Sequence, residues 1–217
     1  MISSASVIPL KQSQGPELEI TNDIVVGKDV LDLITGAMYV DPLSIYREYV
    51  QNSADAIQEA TNFGLYVGKR AAKVEIKVDP KLREITIRDT GIGVAQNDFI
   101  ARLTAVGASK KRGTELRGFR GVGRLSGLGY CQELIFRSRT KGDRKVSELI
   151  WDGKKLKDLL RSEAQVDLPA AIKAIAKTRL LSQDGYPDHF FEVQLRSVAR
   201  VQNDVLLNEE EIYSYLS

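Results

Sequence analysis

The sequence has very little of the chemistry that marks metal-binding or disulfide-bonded proteins. Among its 217 residues there is one cysteine, Cys131, and one histidine, His189. A single cysteine cannot form a disulfide within the chain, and these two residues fall short of the four ligands of a structural zinc site. We therefore expect a reducing, cytoplasmic location for this protein.

Long hydrophobic runs are also absent. No stretch approaches the roughly 18 consecutive apolar residues that a membrane-spanning helix needs, and the N-terminus has no apolar core of signal-peptide length. The overall content of 43% hydrophobic and 28% charged residues is typical of a soluble globular domain. We expect no membrane partner, and we expect residues 1–18 to form a flexible leader.

Neither sign of charge is in large excess. The chain has 31 basic and 29 acidic residues, so its formal net charge is +2. A balance so close to zero gives the whole molecule no bulk attraction to nucleic acid. A nucleic-acid partner would therefore need a local basic patch.

The pattern of apolar and turn residues predicts an α+β domain, not a repeating βαβ unit. Helical spacing of apolar residues covers 29–39 and, after the helix-start signal Asp41-Pro42, continues to about residue 62. Later segments alternate apolar and polar residues as strands do. The predicted strands are 74–78, 85–87, 133–139, 146–151, 176–181 and 190–195, with a short amphipathic helix over 154–160. We expect a two-layer sandwich with helices on one face of a mixed, mostly antiparallel sheet.

The domain boundaries follow from the two ends of this pattern. Residues 19–200 are expected to form one domain. Asn208 precedes three glutamates, which is typical of a capped helix start with acids in its first turn. We expect residues 201–217 to lead into a downstream domain that this chain lacks.

The first motif with chemical potential lies on the predicted second helix. Glu48 and Asn52 are four residues apart, so both side chains lie on one helical face. A carboxylate can accept a proton from water, and an amide oxygen is a hard ligand suited to magnesium. The pair suits hydrolysis of a metal-bound phosphate, although a solvated helix face explains the same spacing.

The second motif is Asp89-Thr90-Gly91-Ile92-Gly93, directly after an apolar strand. The carboxylate of Asp89 offers an acceptor for the exocyclic amino group of adenine, and the glycines allow the backbone to approach a flat ligand. A plain turn is the alternative interpretation.

The third motif is the glycine-rich segment Gly118–Ser126, preceded by the basic segment Gly107–Arg112. Glycines at the start of a helix leave backbone N–H groups free to bind phosphate. A mobile, solvated loop is the alternative. No intact GxGxxG or P-loop occurs, so neither a Rossmann site nor a Walker site is supported. The basic residues are Lys110, Lys111, Arg112, Arg117, Arg120 and Arg124, opposed only by Glu115.

Taken together and in this order, the three motifs resemble those of the GHKL ATPases, which include gyrase, the ninety-kilodalton heat-shock chaperone, histidine kinases and MutL. The step from Glu48 to Asp89 is 41 residues, and the step from Asp89 to Gly118 is 29. The sequence is most similar to the N-terminal ATP-binding domain of the prokaryotic-type chaperone, on the segments YREYVQNSADAI and GFRGVGRLSGL. The resemblance covers residues 20–195 and implies the Bergerat, or GHKL, fold.

The resemblance also implies roles for single residues. Glu48 is expected to be the general base that activates water, and Asn52 to bind nucleotide-associated Mg²⁺, with Asp55 in support. Asp89 is expected to bind the adenine of ATP or ADP. Gly91 and Gly93 are expected to form the wall of that pocket.

A moving lid is implied for residues 104–123. The lid residues expected to contact the nucleotide are Ser109, Lys110, Gly118, Phe119, Arg120, Gly121, Val122 and Gly123. One departure concerns the late strand, where the family places a Gly-Thr pair that supports the adenine-binding aspartate. Here the chain reads Tyr186-Pro187-Asp188-His189, without that threonine. His189 or a neighbour is a candidate substitute, and a strand-edge residue is the alternative for His189.

We therefore expect an ATP-driven conformational switch of a chaperone-like protein, with ATP binding favouring lid closure and association of two N-terminal domains. Hydrolysis by this chain alone is expected to be weak, because such chaperones complete the γ-phosphate site from the following domain. A DNA-handling GHKL ATPase and a nucleotide-regulated scaffold with little turnover are the alternatives. A histidine kinase is disfavoured, because the only histidine lies late in the chain. Stress response and phage defence both stay open.

Overall fold

The computed structural model describes residues 30–31, 41–66, 72–106 and 123–217. Its helices are α1 (Ser44–Asn62), α2 (Gln96–Thr104), α3 (Gly153–Arg161), α4 (Leu168–Ile175) and α5 (Glu209–Leu216), with 3-10 helices at Gly123–Gly129 and Gln202–Leu207. Its strands are β1 (Val74–Asp79), β2 (Glu84–Asp89), β3 (Glu133–Arg139), β4 (Val146–Asp152), β5 (Ala176–Leu181) and β6 (Phe190–Arg196).

The six strands form one sheet in the order β1-β2-β6-β3-β4-β5, and all five of these described pairings are antiparallel. The last strand in sequence, β6, therefore lies in the middle of the sheet between β2 and β3. The predicted α+β class with helices against a sheet is confirmed. The sheet is more uniform than the mixed one we expected, because no parallel pair occurs among the described strands.

Strand alternation places two apolar rows on the face that α1 covers. One row crosses the sheet as Ile87, Val193, Phe136 and Leu149, and the next as Ile85, Leu195, Leu134 and Trp151. The third row is different: Asp89 is paired with Phe191, and Phe191 with Ser138. The apolar layer therefore ends at Asp89, where the core becomes polar.

The opposite face of the sheet carries alternating charges instead of apolar residues. We call this row the charge ladder, and neighbouring members are directly paired in the strand register. In sheet order it consists of Glu75, Arg88, Glu192, Arg137, Glu148 and Arg179. Opposite charges facing each other across strands stabilise the pairing and specify its register.

The ends of the helices show where local sequence signals act. The second predicted helix begins at Ser44 and not at Pro42, two residues later than expected, although the Asp41 carboxylate does accept the backbone N–H of Leu43. The helix ends as predicted before Gly64, whose φ is +64°. Asn208 caps α5 as predicted, accepting the N–H groups of Glu210 and Glu211.

The structure contains two helices that were not predicted, and one predicted helix lies mostly outside the described residues. The helices α2 and α4 were not predicted from the sequence. Of the predicted helix over 29–39, only Val30 and Leu31 are described; both are helical, and Leu31 is buried in the core. None of the helices in the described ranges is both long and apolar enough to span a bilayer.

Candidate functional site

The helix α1 brings Glu48 and Asn52 to the sheet edge at which the apolar rows end. Its buried stripe includes Tyr49 and Ser53, while Glu48 and Asn52 are half-buried beside that stripe. Asp55 accepts a hydrogen bond from Gln51 on the same helix, with Nε2 and Oδ1 3.1 Å apart. The helix thus supplies a carboxylate and an amide at the rim of the site.

The carboxylate of Asp89 is the most unusual group at this edge. Only 2% of Asp89 is exposed, and its Oδ1 accepts the backbone N–H groups of Gly91 (2.8 Å) and Phe191 (3.3 Å). Burial raises the pKa of Asp89 to about 6, although these hydrogen bonds, one from the Ser53 side chain, and the nearby His189 act in the opposite direction. A strongly perturbed carboxylate at a polar edge is characteristic of a functional site.

Gly91 and Gly93 are required by close backbone contacts. A Cβ on Gly91 would lie 2.6 Å from the Cβ of Ala56 on α1. A Cβ on Gly93 would lie 2.2 Å from the backbone oxygen of Arg139, and Gly93 has a φ of +75°. Both glycines allow the loop after β2 to pack between α1 and the ends of β3 and β6.

The segment that follows the glycine-rich stretch packs directly against Glu48. A Cβ on Gly123 would lie 2.1 Å from Oε2 of Glu48, so the carboxylate lies over the Cα of this glycine. The neighbouring Tyr49 holds the 3-10 helix: its hydroxyl donates to the backbone oxygen of Arg124 (3.1 Å) and accepts the N–H of Gly127 (2.9 Å). Burial raises the pKa of Tyr49, so this hydroxyl stays a donor.

Arg124, one of the basic residues of the third motif, makes a hydrogen bond within the protein. Its guanidinium donates to the backbone oxygen of Ala105, which follows α2, and so ties the C-terminal end of that helix to the 3-10 helix. Burial, with a smaller effect of Arg102, lowers the pKa of Arg124. The residue therefore contributes to helix packing as well as to the local positive charge.

The structure brings together six of the residues selected from sequence: Glu48, Asn52, Asp89, Gly91, Gly93 and Gly123. The others, apart from Asp55, lie outside the described residues, as does most of the predicted lid over 104–123. The residues in that group are Ser109, Lys110, Gly118, Phe119, Arg120, Gly121 and Val122.

Sequence reasoning missed Ser53 and underestimated His189. Ser53 is buried and bonds to Asp89; the available signal was a serine on the buried stripe, four residues after Tyr49. His189 is buried, and its Nδ1 lies 2.8 Å from the backbone oxygen of Gly91. His189 precedes β6 in sequence, and it reaches Gly91 only because β6 pairs with β2. The sequence does not reveal that pairing.

Gly123→Ala provides a test of the contact with Glu48. The new methyl group would force the carboxylate to move by more than an ångström, because the two positions overlap. We expect any turnover that depends on Glu48 to fall by up to about 100-fold, as misplacement of a reacting group on this scale can cause. Phosphate release measures the effect, and in the Glu48→Gln background the same change should add little. Additive effects would show that the two residues act separately.

Comparison with known proteins agrees with this geometry. Residues 43–180, more than half of the chain, match the family described as "Histidine kinase-, DNA gyrase B-, and HSP90-like ATPase". The chain belongs to this family. The GHKL resemblance and the fold expected from it are therefore confirmed.

Similar curated proteins include bacterial proteins named chaperone protein HtpG. The chaperone protein HtpG of Rickettsia rickettsii (strain Sheila Smith) is 27% identical over 199 residues, covering 84% of this chain and 31% of the relative. HtpG of Polaromonas naphthalenivorans (strain CJ2) is 31% identical over 139 residues, covering 56% of this chain and 22% of the relative. The chain thus spans about a third, or less, of the length of these relatives.

Proposed function

We propose that this chain binds ATP with Mg²⁺ and hydrolyses it, as the nucleotide-driven switch of a chaperone-like protein. The observation that carries the proposal is the buried carboxylate of Asp89, held at the sheet edge in a chain that belongs to an ATPase family. Burying a carboxylate without an ion-pair partner is costly, and a perturbed group of this kind is therefore a candidate for a functional role.

Adenine is the base that this carboxylate suits. Adenine presents an amino group at the position where guanine presents an oxygen. Oδ1 of Asp89 already accepts two backbone N–H groups, so the carboxylate is oriented before any ligand arrives. Pre-orientation reduces the entropy lost on binding.

The phosphates are assigned to the other side of the site, at α1 and Gly123. The half-buried amide of Asn52 lies on the same helical face as Glu48, and an amide oxygen fits magnesium. The described residues contain no group of three or more acidic, histidine or cysteine side chains that would hold a metal alone. A site with a single protein ligand fits an ion of the kind that binds mainly to phosphates and water. When bound, magnesium neutralises phosphate charge.

Glu48 is assigned as the general base. Its carboxylate lies over Gly123, where the glycine-rich segment ends, and is therefore close to the part of the chain proposed to contact phosphate. From that position it can accept a proton from an attacking water. Asp55 supports the same helix face through its hydrogen bond with Gln51.

The conformational cycle is the remaining part of the proposal. ATP binding closes residues 104–123 over the nucleotide and favours association of two copies through their N-terminal domains, and hydrolysis reverses both. The similarity to HtpG chaperones supports this cycle. Turnover by these 217 residues alone is expected to be slow, because the family resemblance assigns completion of the γ-phosphate site to a following domain.

Glu48→Gln separates binding from hydrolysis. The amide keeps the size of the side chain but no longer accepts a proton, so we expect turnover to fall about 100-fold and ATP affinity to stay within about threefold. Phosphate release under single-turnover conditions, with protein in excess, measures slow rates, and calorimetry measures affinity.

The matched control for this experiment is Glu59→Gln, the same substitution at an exposed position on α1. It should change neither quantity. Equal turnover by wild type and Glu48→Gln would contradict the assignment of the base. No binding of ATP by the folded wild-type chain would contradict the proposed function itself.

A further inference from the structure

Two aromatic side chains from distant parts of the chain hold the loop that follows Asp89. The hydroxyl of Tyr66, just after α1, donates to the backbone oxygen of Thr90 at 2.7 Å. Nδ1 of His189, just before β6, lies 2.8 Å from the backbone oxygen of Gly91. The two rings also contact each other edge to face, with centroids 6.0 Å apart at 62°.

The bond from Tyr66 fixes the peptide that holds Asp89. The oxygen of Thr90 and the N–H of Gly91 belong to one planar peptide unit. Its N–H donates to Oδ1 of Asp89 (2.8 Å), while its oxygen accepts from Tyr66. A bond to the oxygen polarises the unit and strengthens donation by its N–H. The Tyr66 hydroxyl thereby acts on the carboxylate through one peptide.

The bond from His189 fixes the next peptide in the same way. The oxygen of Gly91 accepts from His189, and the N–H of Ile92 in the same unit donates to the backbone oxygen of Ala56 on α1 at 3.1 Å. A ring nitrogen that faces a carbonyl oxygen must carry a hydrogen, so Nδ1 is the protonated nitrogen. Each of the two peptide units that flank Gly91 is therefore hydrogen-bonded both at its oxygen and at its N–H.

This arrangement matters because glycine would otherwise leave the two peptides free to rotate. We propose that Tyr66 and His189 are positioning residues that fix the loop at Gly91, and through it the carboxylate of Asp89, for recognition of the adenine amino group. The inference rests on the proposed function. Neither residue is expected to touch the reacting atoms.

The test uses two conservative variants and two ligands. Tyr66→Phe removes one hydroxyl, and His189→Phe keeps a ring without the N–H donor. Affinities for ATP and for purine riboside triphosphate, which lacks the 6-amino group, are measured by calorimetry on the full chain. We expect each variant to weaken ATP binding about five- to tenfold, as loss of one hydrogen bond to the positioned group does. Binding of the triphosphate without the amino group should change less than twofold.

His189→Asn is the rescue variant, because its side-chain amide places an N–H near the position of Nδ1. It should recover most of the ATP affinity lost in His189→Phe. A residue with a merely structural role would lower thermal stability and weaken both ligands equally, and that result would overturn the inference. Unchanged ATP affinity in Tyr66→Phe and His189→Phe would overturn it as well, while wild-type binding would leave the proposed function intact. Failure of the folded wild type to bind ATP would remove both.

Discussion

Asp89→Asn is expected to make the ligand-free chain more stable at pH 7 while lowering its ATP affinity about a thousandfold. The stability gain arises because burial raises the pKa of the carboxyl from 3.8 to about 6. Between these values the folded chain binds more protons than the unfolded chain, so the free energy of unfolding of the wild type falls as the pH rises through this window. Above pH 6 the folded wild type carries the full cost of keeping the buried carboxylate ionised, on the order of 2–3 kcal/mol.

The binding loss follows from the same geometry. In Asp89→Asn, the side-chain oxygen can still accept the N–H groups of Gly91 and Phe191, which leaves the NH₂ group facing the ligand. A donor would then face the amino group of adenine, and both would lose their partners. Sites built to pair a polar group discriminate strongly against an unpaired one, and a thousandfold loss corresponds to about 4 kcal/mol.

Denaturation from pH 4 to pH 8 and calorimetry measure the two effects separately. The wild type should lose stability between pH 4 and 6, and Asp89→Asn should lack that slope. Asp158→Asn is the matched control, since Asp158 is exposed on α3. A variant less stable than the wild type at pH 7, with the slope retained, would show that the buried carboxylate is not the costly group.

The local elements of the fold could be predicted because their signals are local. The strand pattern of β2, with Ile85 and Ile87 two residues apart, needs only the alternation of one buried face. The cap at Asn208 likewise depends on neighbouring residues. The helix α2 escaped prediction because Ala95, at its N-cap position, makes no side-chain cap. The helix α4 does begin with local signals, an Asp167 cap followed by Pro169, but it is only eight residues long.

The candidate site could be predicted only in part, because its parts meet through long-range pairing. Glu48, Asn52 and Asp89 lie in short motifs that carry their chemistry. The support of Asp89 by Phe191 and of its loop by His189 requires β6 to lie beside β2, about 100 residues apart in sequence. No local pattern contains that information, because strand order is decided by the packing of the whole sheet.

The charge ladder could not be predicted from the sequence either. The alternating segment that contains Arg137 predicts a strand whose polar face is exposed to solvent. In the structure the middle of this face is buried: Glu148 is 1% and Glu192 2% exposed. Arg137 lies between them and donates to Oε2 of Glu148 (2.6 Å), to Oε1 of Glu192 (2.7 Å) and to the amide oxygen of Gln194 (2.8 Å). One guanidinium thus serves two buried carboxylates.

Arg137→Met is therefore expected to lower the free energy of unfolding by about 2–3 kcal/mol, because Glu148 and Glu192 lose their most buried partner and keep only the more exposed Arg179 and Arg88. Replacing Glu148 and Glu192 by glutamine in the same chain should recover most of this loss. The control is Arg179→Met at the end of the ladder, where the side chain is 60% exposed and about 1 kcal/mol or less is expected. Urea denaturation measures all three.

The same variant also tests whether the charge ladder is separate from the proposed ATP site. Arg137 points to the face of the sheet opposite α1, whereas Asp89 lies on the α1 side. The folded fraction of Arg137→Met should therefore bind ATP within about twofold of the wild type, since among the described residues Arg137 and Asp89 share no hydrogen-bond partner and the effects of such groups are largely additive. A large loss of ATP affinity with unchanged stability would contradict this prediction and would show that the charge ladder contributes to ATP binding. Equal destabilisation by Arg137→Met and Arg179→Met would instead show that burial does not set the cost.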